Sequence, residues 1–277
     1  MSGKLYLVGT PIGNLGDISP RCAQTLEEVD FIAAEDTRVT VKLLNHLGIK
    51  KPMVSYFEHN KVESGRKIIE RLLAGESCAI VTDAGMPAIS DPGEDLVAEC
   101  AQAGIEVCPV PGPCAAVTAL ALSGLPTGRF TFEGFLATGK KSRQEHLAEL
   151  KSEKRTMIFY EAQHKLKATL ADLFSAFGDR RVSISREMTK IHEETMHTTL
   201  GEAVKYFDIQ PPRGEFVLVV EGAEQKKEIQ FGMDEALDMV KEYIDSGLTL
   251  KDASRKVADR TGYSKNELYS GYLKTEN

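Results

Sequence analysis

The sequence predicts an α/β protein built as two α/β domains followed by a small helical unit. Two observations carry this. Apolar runs of four or five residues alternate with longer segments of helical period, the pattern of strands joined by helical crossovers. Past a charged linker at 224–228 the strand signal stops, and only helical periodicity continues.

In chain order, residues 5–8 (LYLV) read as a first strand and 31–34 (FIAA) as a second. Residues 53–56 make a weaker third, 78–82 (CAIVT) a fourth and 106–110 a fifth. Helical patterns lie at 64–74, where Ile68, Ile69, Leu72 and Leu73 share a face, and at 94–103 and 115–122. Strands of this kind with helical crossovers predict a mostly parallel sheet covered on both faces. Leu125-Pro126-Thr127-Gly128 breaks the pattern and sets a boundary, with a first domain at 1–125 and a second at 126–223. In the second, strands at 156–160, 181–186, 196–200 and 215–220 are separated by helices at 142–152, 166–177 and 201–207. A third unit at 230–277 opens with an amphipathic helix at 233–245. Residues 250–261, Gly262 and 264–273 then read as helix–turn–helix, with Ser264 as N-cap and Glu267 three residues on.

Composition narrows the function. With 42% apolar residues the chain can fill two cores. No apolar run approaches the ~20 residues that cross a bilayer, and the first eight residues hold no signal-peptide core. A cytoplasmic protein without membrane contact is expected. The five cysteines (Cys22, Cys78, Cys100, Cys108, Cys114) are odd in number and form no C-x-x-C pair, and the six histidines show no ligand spacing. Reduced thiols and no metal are expected. A net charge of −7 argues against bulk attraction to nucleic acid. Contact with RNA would have to use local basic patches. One, at 139–155, holds Lys140, Lys141, Arg143, Lys151, Lys154 and Arg155; the other, at 249–265, holds Lys251, Arg255, Lys256, Arg260 and Lys265. Each is also what a solvated helix face looks like.

Ligands of open parallel sheets bind beyond the carboxyl ends of the strands. The five predicted strand ends of the first domain carry Gly9-Thr10-Pro11-Ile12-Gly13-Asn14, Glu35-Asp36-Thr37-Arg38, Glu58-His59-Asn60, the long loop 83–93 (DAGMPAISDPG) and Pro111-Gly112-Pro113-Cys114-Ala115-Ala116. Ordinary turns need one or two such residues. Small residues let main-chain N–H and C=O groups approach a ligand closely, which suits an adenosine with an amino-acid tail. The first loop is not G-x-G-x-x-G, so a dinucleotide fingerprint is absent.

GTPIGN, AEDTR, EHN, TDAGMPAISDPG and PGPCAA, in this order, resemble the tetrapyrrole (corrin/porphyrin) methylase superfamily, and more narrowly its branch that modifies ribosomal RNA. FEGFLATGKKSR at 132–143, FYEAQHK at 159–165, REMTKIHEE at 186–194 and RGEFVLVVEG at 213–222 extend the likeness from Leu5 to about Gly222. The helical tail also looks like the family's C-terminal unit. The resemblance implies S-adenosylmethionine bound in a cleft between the two domains, a homodimer, and 2′-O-methylation of a decoding-region cytidine of 16S rRNA within the small ribosomal subunit. Carried over by position, the cofactor contacts would be Ile12, Asp83, Gly85, Met86, Ile89, Ala115 and Ala116. The second domain would add Tyr160 or Glu161, Glu187 or Met188, and Gly214 or Glu215. Where tetrapyrrole-modifying relatives have Gly-Asp-Pro, this chain has Gly85-Met86-Pro87.

Asp36, His59, Asp83 and Glu187 are the candidate bases for the acceptor hydroxyl, with Arg38, Asn60 and Lys190 able to hold phosphate or ribose. The sequence does not choose among them. Asp36 with Arg38 also reads as a structural ion pair, His59 as a plain loop residue, and Glu187 with Lys190 as a surface i,i+3 pair. A small acceptor such as a tetrapyrrole on the same fold, or an RNA-binding protein without catalysis, are the rival readings.

Overall fold

The computed structural model describes residues 2–224 and 232–275, which divide into two compact units, 1–223 and 224–277. The predicted linker at 224–228 lies, from 225 on, outside the described residues.

The first half of the larger unit folds on strands β1 (Lys4–Val8), β2 (Phe31–Ala34), β3 (Met53–Ser55), β4 (Cys78–Val81) and β5 (Glu106–Val110). Their order is β3-β2-β4-β1-β5, with every pairing parallel. Pro109 is tolerated in β5 because that strand is an edge. Helices α1 (Pro20–Glu28) and α2 (Thr37–Leu47) bury Cys22, Leu26 and Leu44 on one face; α3 (Lys61–Leu73) and α4 (Glu94–Gln102) bury Ile68, Leu72, Leu96 and Cys100 on the other. Both α1 and α2 lie outside the helices expected above. For α1 the signal was present. Ser19 precedes Pro20 at the first helical position, and its Oγ accepts from the Cys22 N–H at 3.0 Å.

Helix α5 (Ala115–Leu122) does not return to the first sheet. Ala116, Ala119 and Leu120 bury against Ile158, Val217 and Val219 of a second sheet. That sheet has strands β6 (Phe130–Phe135), β7 (Thr156–Ala162), β8 (Arg181–Arg186), β9 (Glu194–Thr199) and β10 (Glu215–Val220), in the order β6-β7-β10-β8-β9. Only β6–β7 is parallel; β10 runs antiparallel to both β7 and β8. Strand β6 was not expected from the sequence. Its other face is covered by α6 (Lys140–Leu150), α7 (Leu166–Phe177) and α8 (Leu200–Ile209). β10 shows why its sequence reads as a continuous apolar run. Phe216, Leu218 and Val220 enter the core under α6–α8, while Val217 and Val219 enter the core under α5.

The smaller unit is three helices, α9 (Met233–Asp245), α10 (Leu250–Thr261) and α11 (Lys265–Thr275), closed around Ala236, Leu237, Val240, Ala253, Val257 and Leu268. Ser264 and Glu267 form the reciprocal capping pair the sequence suggests, at 2.8 and 3.2 Å.

Candidate active site

In the first sheet the carboxyl ends of β4, β1 and β5 are neighbours, so loops 82–93, 9–14 and 111–114 meet over that side of it. They are fastened main chain to main chain. The Thr10 N–H donates to the Gly85 carbonyl at 2.9 Å, and the Gly85 N–H to that of Thr10 at 3.1 Å. The first and fifth loops touch directly. A Cβ on Gly112 would lie 2.7 Å from the Gly9 carbonyl oxygen, and one on Gly9 would lie 2.7 Å from the Gly112 Cα. The second loop is tied in by side chains: the Asp83 N–H donates to Glu35 at 3.3 Å, and the Asp36 N–H to Asp83 at 3.2 Å. In loop 82–93, Gly85, Ala88, Ser90 and Gly93 all have positive φ, from 61 to 143°. For Ala88 and Ser90 this is unfavourable backbone, of the kind that collects at functional sites.

Because β10 runs against β7 and β8, its start shares one sheet edge with their ends. Residues 160–162, 186–190 and 214–217 converge there. Glu187 and Thr189 again have positive φ, 49 and 66°. Gly214, at φ 88°, has no room for a Cβ, which would fall 2.5 Å from the Glu187 carboxylate. Lys190 Nζ joins Glu187 at 3.1 Å and Glu215 at 3.2 Å.

Between the two edges lies a cavity of about 310 Å³. Ten of the proposed cofactor contacts line it: Ile12, Asp83, Gly85, Met86, Ile89, Ala115, Tyr160, Glu187, Met188 and Glu215, with Glu161 beside Tyr160. Ala116 and Gly214 stand just behind. The Ala116 N–H donates to the Tyr160 hydroxyl at 3.1 Å, and Gly214 backs Glu187. Of the residues assigned to the acceptor, Asp83, Glu187 and Lys190 line the cavity.

Asp36, Arg38, His59 and Asn60 do not line it. The Asp36 carboxylate caps α2 through the Arg38 N–H at 2.8 Å and pairs with the Arg38 guanidinium. That side chain holds its pKa down at about 2. The polar run 35–38 is therefore first of all a helix start. His59 and Asn60 follow β3, an edge strand, and open onto a separate groove along α3. Asn60 is used at both ends of its amide, accepting from the Phe57 N–H and donating to the Ser55 carbonyl.

The sequence reading missed Glu35, Ser90, Asp91, Cys114, Phe135 and Phe216 as lining residues. Glu35 and Asp91 stood inside quoted loops; Phe135 ends the strand that was not expected. The electrostatics differ sharply across the cavity. Burial pushes Glu35 and Asp83 up. Burial, with Glu35 and Asp83 nearby, pushes Asp91 up to about 7. On the opposite edge burial also raises Glu187, but Lys190 and the Glu215 N–H outweigh it and hold the carboxyl below its usual range. Burial pushes the Tyr160 hydroxyl up to about 12. Among the described residues no cluster of three or more His, Cys, Asp or Glu could hold a metal ion.

The predicted RNA patch at 139–155 is partly spent internally. Arg143, with its side chain only 15% exposed, bonds Asp172 at 2.6 Å and Thr169 at 2.8 Å, and Arg155 pairs with Glu153. Lys140, Lys141, Lys151 and Lys154 remain exposed. Among the described residues no helix is long and apolar enough to cross a membrane.

Residues 4–204 match the family model described as Tetrapyrrole (Corrin/Porphyrin) Methylases. The chain is 47% identical over 275 residues to the ribosomal RNA small subunit methyltransferase I of Synechocystis, covering 99% of each. It is 50% identical over 273 residues to the protein of that name from Halalkalibacterium halodurans, covering 98% of this chain and 94% of that one. The fold is similar to that of uroporphyrin-III C-methyl transferase from Thermus thermophilus complexed with S-adenyl homocysteine, with a TM-score of 0.55, 19% identity, and coverage of 78% of this chain and 97% of that one.

Proposed function

This chain belongs to the tetrapyrrole (corrin/porphyrin) methylase family, and on that premise we propose that it is a cytoplasmic, homodimeric methyltransferase. It uses S-adenosylmethionine to methylate the 2′-hydroxyl of a decoding-region cytidine of 16S rRNA in the small ribosomal subunit. The observation that carries the cofactor is the cavity itself: main-chain loops of a parallel sheet on one side, and on the other a carboxylate-bearing edge of a second sheet. Its volume falls at the low end of the ~300–1,000 Å³ typical of ligand sites. The residues present fit the group. Ile12, Ile89, Met86 and Met188 offer apolar surface for a nucleoside, and the small residues Ala84, Gly85 and Ala115 leave it room. Glu187 and Glu215 supply negative charge for a ligand that is cationic at sulfur and at its amino group.

Bound there, S-adenosylmethionine supplies a methyl group on a positively charged sulfur, already reactive. What the chain's residues add is position and proton removal. Holding the acceptor oxygen in line contributes roughly 7–11 kcal/mol in favourable cases, and a base about 10²–10⁴-fold more. The exposed lysines at 140–154 and the basic face of α10 (Lys251, Arg255, Lys256 and Arg260, all exposed) hold RNA phosphates. Binding to the small subunit should therefore weaken as salt rises.

The test is methylation of 30S subunits from a strain lacking this gene, with the modified nucleotide mapped, beside calorimetry with S-adenosylhomocysteine. Binding of the nucleoside and one new 2′-O-methylcytidine are expected. Absence of nucleoside binding ends the methyltransferase reading. Binding with transfer only to a tetrapyrrole replaces the acceptor.

A further inference from the structure

We propose that Asp91 is the group that takes the proton from the acceptor hydroxyl. The inference rests on the methyltransferase reading above and adds to it the residue that does the proton work.

Six carboxylates line the cavity: Glu35, Asp83, Asp91, Glu161, Glu187 and Glu215. Five are already engaged. Glu35 accepts from the Asp83 N–H, and Asp83 from the Asp36 N–H. Glu161 accepts from the Thr169 hydroxyl and the Ala162 N–H. Glu187 and Glu215 share Lys190. Asp91 is half-buried, yet among the described residues it has neither a hydrogen-bond nor an ion-pair partner. A carboxylate partly withdrawn from water and without a partner is less favourably ionised than an exposed one, and the turn that carries it is unusual. Asp91 follows two non-glycine residues in left-handed conformation, Ala88 and Ser90, in a turn closed by the Ala88 N–H on the Pro92 carbonyl at 3.3 Å. Against this turn packs Gly134 of β6, with φ 60°, where a Cβ would come 3.1 Å from Ser90 Oγ. The second sheet thus packs directly on the turn that presents Asp91.

The charged and titratable groups facing Asp91 are Glu35 and Asp83 from the first sheet and Tyr160 from the second. None is a cation. Lys190, in the same cavity, is taken by Glu187 and Glu215. With nothing to favour its charged form, the carboxyl is a far better proton acceptor than an exposed aspartate and is still substantially ionised at neutral pH, the compromise a general base needs. In the step, the acceptor oxygen bonds to the methyl carbon as its O–H proton passes to the Asp91 carboxylate. The electron pair of the broken carbon–sulfur bond stays on sulfur. The products are the 2′-O-methyl ether, a neutral thioether and protonated Asp91, which returns the proton to water.

The experiment compares the full chain with Asp91→Asn and Asp91→Glu. Three measurements are made: S-adenosylhomocysteine affinity by calorimetry, carboxyl titration by ¹³C NMR, and single-turnover methylation of 30S subunits from about pH 5 to about pH 9. Expected are affinities within about threefold of one another, since on this assignment Asp91 meets the acceptor and not the cofactor. A carboxyl titrating near neutrality should vanish in Asp91→Asn, and its rate should fall by about 10²–10⁴-fold. The wild-type rate should climb about tenfold per pH unit up to neutrality and then level, a climb that Asp91→Asn loses and Asp91→Glu partly restores. Asp91→Asn keeping a rate within about tenfold of wild type, or the same climb with pH, overturns the assignment. So does loss of nucleoside affinity in either variant, which would make Asp91 a cofactor ligand. Wild-type protein that neither binds the nucleoside nor methylates 30S would instead overturn the functional reading beneath it.

Discussion

Gly112→Ala tests whether main chain packed on main chain behind the cavity holds its lining loops in place. The added Cβ would sit 2.7 Å from the Gly9 carbonyl oxygen and 2.8 Å from the Gly9 carbonyl carbon and Cα. Relaxed carbon–carbon contacts lie at about 3.5–4.0 Å, so the first and fifth loops must part by roughly 0.7–1 Å. No flexible side chain can absorb this, because every atom met is backbone, and the Gly9 loop is itself bonded to Gly85 through Thr10. Gly112 carries no left-handed φ, so the substitution adds steric overlap without dihedral strain. Overpacking of this kind costs about 1–3 kcal/mol, which for a domain of this size lowers Tm by roughly 2–4 °C per kcal/mol. The larger effect falls on the ligand. A displacement near 1 Å at a positioning contact can cost about 10²-fold. S-adenosylhomocysteine affinity, read by calorimetry, should fall by about one to two orders of magnitude. Gly128→Ala, where a Cβ meets nothing within 4 Å, is the control and should stay within about 0.5 kcal/mol of wild type. If Gly112→Ala binds the nucleoside as tightly as wild type, the packing of the first loop on the fifth does not position the ligand and the reasoning fails.

Three further outcomes follow from the same geometry. Tyr160→Phe strips the Ala116 N–H of its acceptor at the start of α5. It should cost about 0.5–1.5 kcal/mol in denaturant unfolding, with only a few-fold loss of nucleoside affinity; an unchanged midpoint would deny the bond a role. Arg143→Gln should lower stability, because it breaks the bonds to Asp172 and Thr169 behind Glu161, while the salt dependence of 30S binding keeps its slope; a slope reduced by about one would return Arg143 to the RNA surface. The folded Asp91 carboxyl, pushed up to about 7, binds its proton more tightly than the ordinary value of about 3.9 in the unfolded chain. Its contribution to stability is therefore fully present below about pH 4 and lost as pH rises through about 7. The urea midpoint of Asp91→Asn should exceed that of wild type at pH ~8 and converge with it at pH ~4; parallel curves would show that the carboxyl is not perturbed.

The first sheet was legible because each of its strands is a short apolar run with a polar or glycine-rich exit, and a parallel sheet buried on both faces leaves that trace. β6 was not. Phe130–Phe135 has Thr131, Glu133 and Gly134 within six residues and one pairing neighbour, β7, so its apolar character is diluted as an edge strand permits. Helix α2 was hidden for another reason. Asp36 and Arg38 stand where chemistry is expected, beyond a strand end, and residue type does not distinguish an ionised catalytic group from an N-cap whose charge a neighbouring guanidinium already satisfies. Only the geometry of the Arg38 N–H separates them.

Strand order decided the remainder of the site, and order is what a strand-by-strand reading lacks. His59 and Asn60 look as functional as any other strand-end pair, yet β3 lies at the sheet margin and its exit faces α3. Conversely, Glu215 begins a strand rather than ending one, and the rule that ligands sit at carboxyl ends would have discarded it. It reaches the cavity because β10 is antiparallel to its neighbours. Here the family resemblance supplied a position that periodicity could not. Asp91 marks the boundary of both approaches. It lies within a motif that was quoted whole, but what sets it apart from Asp83, eight residues earlier, is the lack of a partner. A vacancy in a hydrogen-bond network is a property of the fold, and no arrangement of residue types along the chain encodes it.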